Sequence, residues 1–214
     1  MHVKDYLSTT FPSLELAPFI YHQWHTAIHI ELGGDIYQML DDNQLNMDRF
    51  HLVYHQTSTI FNTLFDTDDE LYLVANLYKM KNLSAKKLHV FKPYVRNKEL
   101  LYKIQVQTLP YPFEILEDDE ELFECQQLSL QCKPTDIRIS SLLKAACNED
   151  FPPLKPRFKE YVSYPDIFFI NKSKDIILFI YDDRGCEVIA KERAMLDMLS
   201  SQLSNYTCDK KTGD

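Results

Sequence analysis

The stretch 166–190, DIFFINKSKDIILFIYDDRGCEVIA, constrains the fold of this chain more than any other. Three short apolar runs are separated by NKSK and by DDRG, and they lead into an amphipathic segment at 191–203. Short β-rich runs joined by turn-forming residues predict an antiparallel meander with a helix packed after it.

The segments upstream follow the same grammar. Residues 3–9 predict a short helix with Val3, Tyr6 and Leu7 on one face, and 24–32 alternate as a strand that Gly33-Gly34 breaks. A longer helix is expected after Asn46, because Phe50, Val53, Tyr54, Thr57, Ile60, Phe61, Leu64 and Phe65 recur at helical spacing. Residues 71–78 are apolar on both faces, which predicts a central strand. Further strands are expected at 88–91 and 122–132, and a helix after Pro134 with Asp136 as its cap. Between 92 and 110 the signals conflict: 96–102 reads as a helical turn and 104–109 as a strand. The run 117–121 holds five consecutive carboxylates, whose repulsion favours a solvated loop. Three prolines in 150–156 mark a connector, yet the meander beyond it is too small to hold a core alone. The expected architecture is one α+β domain over 1–206, with a polar disordered tail at 207–214. Its sheet is mostly antiparallel, with six to eight strands and three or four helices packed on one face.

Composition narrows the function. The formal net charge is −9, which repels phosphate backbones and anionic lipid headgroups. Neither nucleic acid nor a membrane is therefore expected as a partner; the acidity speaks for solubility, or for a basic protein partner. Five cysteines, none in a C-x-x-C pair, read as reduced thiols of a cytoplasmic protein. No apolar run approaches the length of a membrane span, and the N-terminus lacks the pattern of a signal peptide. Four glycines leave no phosphate-binding loop, and neither a G-x-S-x-G nor a dinucleotide fingerprint is present.

Three groups of residues are candidates for chemistry. Asp182, Asp183 and Arg184, with Gly185 and Glu187, read first as a type I turn whose glycine supplies a left-handed residue. Their alternative is a polar cluster at the sheet edge that binds or cleaves a ligand. His51 and His55, four apart on the long helix, could join His25, His29 and Glu31 as metal ligands, but no H-E-x-x-H is present and both flank an apolar stripe. No metal and no cofactor are expected. Cys186 and Cys147 read as small buried apolar residues rather than nucleophiles.

The segments FFINKSKDIILFIYDDRGCEVIA, LFDTDDELYLV and LLKAACNEDF resemble an uncharacterised bacterial family filed as a domain of unknown function. Its members share an "FIN-K…IYDDRG-V-A" signature, and the likeness runs from FPSLEL to the last helix. The resemblance implies membership and brings no substrate, cofactor or catalytic residue with it. The expected function is a non-catalytic protein-binding module, by analogy with small acidic immunity or antitoxin proteins. It would use an acidic patch near Asp182, Asp183 and the loop 117–121. The alternative is a small-ligand-binding protein or hydrolase with its site at the turn 182–185.

Overall fold

A computed structural model describes residues 2–81, 88–113, 122–158 and 164–202. In chain order the elements are α1 (Val3–Thr10), β1 (Ala27–Glu31), α2 (Met47–Leu64), β2 (Leu71–Met80), α3 (Leu88–Phe91), β3 (Gln105–Leu109), β4 (Phe123–Cys132), α4 (Ile139–Cys147), β5 (Asp166–Asn171), β6 (Ile176–Ile180), β7 (Gly185–Ala190) and α5 (Arg193–Gln202). Short 3₁₀ turns occupy Ile20–His22, Lys98–Lys103 and Pro134–Asp136.

The strands form one seven-stranded sheet in the order β1-β7-β6-β5-β2-β4-β3, and every pair is antiparallel. The meander β5-β6-β7 is as the sequence predicts, and the class is α+β. β2 lies inside the sheet with both faces buried, between β4 and β5. Because β2 precedes the proline-rich stretch 150–156 and β5 follows it, strands from both sides of that stretch share the sheet.

Alternation divides the apolar residues between two cores. Leu71, Leu73, Leu77, Phe169, Leu178 and Val188 face a layer made by α2, α4 and α5. Tyr72, Val74, Phe168, Ile170, Ile177 and Ile189 face the other way, where α1 and the segment through Phe11, Leu14, Leu16 and Ile20 cover them. The helices expected on one face are thus joined by an N-terminal cover on the other. That cover spans only part of its face, which matters for the site.

Three local expectations are corrected. Residues Leu88–Phe91 form one turn of helix, not a strand. Asp136 does not cap α4; its carboxylate accepts the Lys133 N–H at 2.9 Å inside the preceding 3₁₀ turn, and α4 begins after Arg138. Gly185 is not left-handed: among the described residues the positive-φ glycines are Gly33 and Gly34, and Gly185 opens β7. The loop 117–121 and the tail 207–214 lie outside the described residues.

Candidate functional site

Where the N-terminal cover ends, the same sheet face continues with polar residues. The register places Glu187 of β7 opposite Phe179 of β6 on one side and His29 of β1 on the other. Asp166 opens β5 opposite Asn76, and Tyr78 stands two residues further along β2. These side chains floor a cavity of about 650 Å³. Its walls are Pro18, Phe19, Tyr21 and His22 from the end of the cover, Glu149 and Asp150 after α4, and Phe113, Tyr164, Tyr181, Asp182 and Arg184. Cavities of this size suit small molecules.

Five carboxyl groups line the cavity against one arginine. Tyr78 donates its hydroxyl to Asp166, and burial pushes the Asp166 carboxyl up to about 7. Burial likewise raises Glu187 to about 7, although the Tyr21 N–H donates to its Oε2 at 3.3 Å. Glu149 rises to about 8, from burial first and then from the negative charge of Asp150, Asp166 and Asp182, with Arg184 opposing. Near-neutral carboxyl groups in a cleft can hold a cation or exchange protons. Opposite them, the Tyr181 hydroxyl meets His29 Nε2 at 2.8 Å.

The turn 182–185 is packed inward rather than protruding. Asp182 is 4 % exposed and Asp183 1 %. Asp182 accepts the Arg184 backbone N–H at 2.6 Å and binds the Arg184 guanidinium, with the Nε contact at 2.7 Å. Of the four turn residues proposed as a polar cluster, Asp182, Arg184 and Glu187 line the cavity. Asp183 points away from it and accepts Arg49 Nε at 2.9 Å, buried beneath α2. The role of Gly185 is close approach: a Cβ there would run into the Tyr181 hydroxyl oxygen and stand 2.9 Å from the Ile30 carbonyl oxygen. Because Asp182 and Asp183 are buried, they cannot form the exposed acidic patch expected of a partner surface at this turn.

The histidines separate. His29 lies at the cavity, whereas His51 and His55 are exposed on α2, across the sheet. Among the described residues, no three His, Cys, Asp or Glu side chains gather into a group that could hold a metal ion. Cys125, Cys132, Cys147 and Cys186 are buried free thiols, and burial pushes Cys125 and Cys132 up to about 12 and the other two higher. Thiols so raised are not nucleophiles near neutral pH.

Over residues 3–211 the sequence matches the family described as a domain of unknown function (DUF3885). The chain belongs to this family. It is 48% identical over 215 residues to the uncharacterized protein YnaE of Bacillus subtilis (strain 168), covering 97% of this chain and 100% of that protein. No solved structure matches the chain. No helix among the described residues is long and apolar enough to cross a membrane.

Two segments of the sequence, FIN-K at 169–174 and IYDDRG at 180–185, do different work. The FIN-K segment is structural. Asn171 donates Nδ2 to the Leu64 carbonyl that ends α2 and to Asp69, while its Oδ1 accepts the N–H groups of Ser173 and Lys174. Lys174 pairs with Asp66 at 2.8 Å and Asp69 at 3.1 Å. The IYDDRG segment supplies the cavity with Tyr181, Asp182 and Arg184. Sequence reasoning missed Glu149, Asp166, Tyr78 and Arg49. Arg49 carried a readable signal, since it shares helical spacing with the buried Val53, Gln56, Thr57 and Ile60.

Proposed function

We propose that the cavity binds a small organic cation, an amine or guanidinium. The observation that carries this reading is the convergence of five carboxyl groups and a single arginine within walls rich in aromatic rings. Aromatic faces attract cations through their quadrupole, and a bound cation would compensate carboxylates that burial otherwise holds near neutrality. Asp166, Glu187 and Glu149 are the expected counter-charges, with Tyr181 and Phe179 beneath the ligand.

Calorimetry with spermidine and agmatine as probes, against neutral 1,4-butanediol and anionic succinate, tests this reading. Binding of the cations alone is expected, with uptake of protons by the buffer, because the cation drives carboxyl groups to ionise. Affinity should rise with pH between about 6 and 9, across the raised values of the three carboxyl groups. Asp166→Asn should weaken binding about tenfold or more, and Arg184→Gln should strengthen it by removing a like charge. No heat with either cation, or equal heat with butanediol, would sink the proposal.

A second reading is acid–base hydrolysis. It is favoured by the same three carboxyl groups, which hold protons to donate at neutral pH. A panel of nitrophenyl esters and glycosides tests it: turnover with a bell-shaped pH profile, abolished by Asp166→Asn, would support catalysis. Turnover unchanged by Asp166→Asn would exclude this site as its source.

A further inference from the structure

The segment between β1 and α2 is a small hairpin held against the body of the protein. Gly33 and Gly34, both at positive φ, turn the chain out of β1. The hairpin closes through Leu40 N–H to Gln44 O at 2.8 Å, Asn46 N–H to Gln38 O at 2.8 Å, and a bridge between Met39 and Leu45. Asp42 accepts both the backbone and the side-chain N–H of Gln44. Arg49 ties it down from within, donating Nη1 to the Ile36 carbonyl at 2.7 Å while its other nitrogens bind Asp183. Gln56 accepts the Gly33 N–H at 2.8 Å.

This pinned hairpin exposes apolar side chains. Tyr37 is 82 % exposed, and Met39, Leu40 and Met47 are also exposed. A rigid segment that presents such residues to solvent is costly unless something covers them. Asp35, Asp41, Asp42 and Asp48 surround the apolar residues, all exposed and none paired with a cation among the described residues. The sequence has no lysine or arginine between Lys4 and Arg49, and Arg49 is buried.

We propose that the hairpin 35–47 is the docking surface for a positively charged protein, with Tyr37, Met39 and Leu40 as anchors. This proposal is independent of the cavity. Charge selects the occupant. A second copy of a chain with net charge −9 would bring like charges together, and anionic lipid would meet the same repulsion. A basic protein surface meets complementary carboxylates around an apolar centre, the arrangement of many interfaces. Preformed geometry lowers the ordering cost of binding.

Selection of displayed 12-residue peptides on the full-length protein, with counter-selection on Tyr37→Ser/Leu40→Ser, tests this surface. The expected survivors combine lysine or arginine with a large apolar residue. Their affinity should fall about tenfold or more in Tyr37→Ser and in Asp35→Lys/Asp41→Lys, and should weaken as salt rises. All of these side chains are exposed, so the thermal melting of each variant should match the parent and exclude misfolding as the cause. Survivors that are neutral or acidic, or that bind the counter-selected variant equally, would overturn the proposal. So would concentration-dependent dimerisation in sedimentation velocity that Tyr37→Ser abolishes, or flotation with phosphatidylglycerol vesicles, since these assign the hairpin to a second copy or to lipid.

Discussion

Arg49 and Asp183 lie 134 residues apart in the chain, and their side chains meet at 2.8 Å with 5 % and 2 % of each exposed. Arg49 Nη2 also donates to the Asp183 carbonyl at 3.2 Å, so side chain and backbone of the turn are both held. The pair fixes the start of α2 to the turn between β6 and β7. It thereby sets two surfaces at once: the hairpin 35–47 on one side and the position of Asp182 and Arg184 at the cavity on the other.

Removing one partner of a buried ion pair leaves the other without compensation. Arg49→Met is therefore expected to lower stability by about 3–5 kcal/mol in urea unfolding. Arg49→Met/Asp183→Asn should recover most of that loss. Arg49→Lys should rescue poorly, because one ammonium cannot reproduce the guanidinium fork to Asp183 and the bond to Ile36. Equal stability of Arg49→Met and the parent would mean that the pair does not hold the turn.

Stability should also depend on pH, with a sign fixed by the raised carboxyl groups. Glu149, Asp166 and Glu187 hold protons in the folded state at pH values where the unfolded chain has released them. Folding is then favoured below the unfolded values, near 4, and loses this contribution as pH climbs through about 7 to 8. The melting temperature of the ligand-free protein should fall between about pH 5 and 9, and Glu187→Gln should flatten that fall. A melting temperature that rises over this range would contradict the assignment.

The fold was legible where a pattern repeated often enough to exclude the alternatives. α2 shows its stripe over five turns, and β5 to β7 are separated by unmistakable turn residues. Residues Leu88–Phe91 are too few for a period of 2 and a period of 3.6 to differ, so the strand expected there is a helical turn. The cavity was less legible, because its residues arrive from distant segments that only the sheet register brings together. Half of the turn's chemistry was visible in Asp182 and Arg184, yet nothing in the local sequence separates Asp182, which faces the cavity, from Asp183, which faces Arg49. At Gly185 the turn pattern predicts a left-handed residue, whereas the close approach of Tyr181, not the φ angle, requires a glycine there.

That requirement can be measured. Gly185→Ala should destabilise the protein by roughly 1–3 kcal/mol, since the new methyl group meets the Tyr181 ring and the Ile30 backbone. In a Tyr181→Ala background the same substitution should cost less, because the ring is gone and only the Ile30 contact remains. A double-mutant cycle by chemical denaturation reads the difference. Additive losses would show that the ring and the glycine do not constrain each other.

The contrast between the FIN-K and IYDDRG segments separates stability from binding. Asn171→Ala removes the amide that satisfies the Leu64 carbonyl and the turn N–H groups of Ser173 and Lys174, all on the side of the sheet away from the cavity's acidic floor. Of these groups the Leu64 carbonyl is buried, and losing the Asn171 donor to it costs about 1–3 kcal/mol. Asn171→Ala should therefore melt several degrees lower while binding spermidine as the parent does at temperatures where it is folded. Asp182→Asn should behave in the opposite way. It keeps the acceptor for the Arg184 N–H but weakens the hold on the guanidinium, so the cavity loses charge and order with a smaller change in melting. Calorimetry and thermal melting on the same two variants decide it. If both variants lose stability and binding in equal proportion, the two segments serve one purpose, and the structural assignment of Asn171 fails.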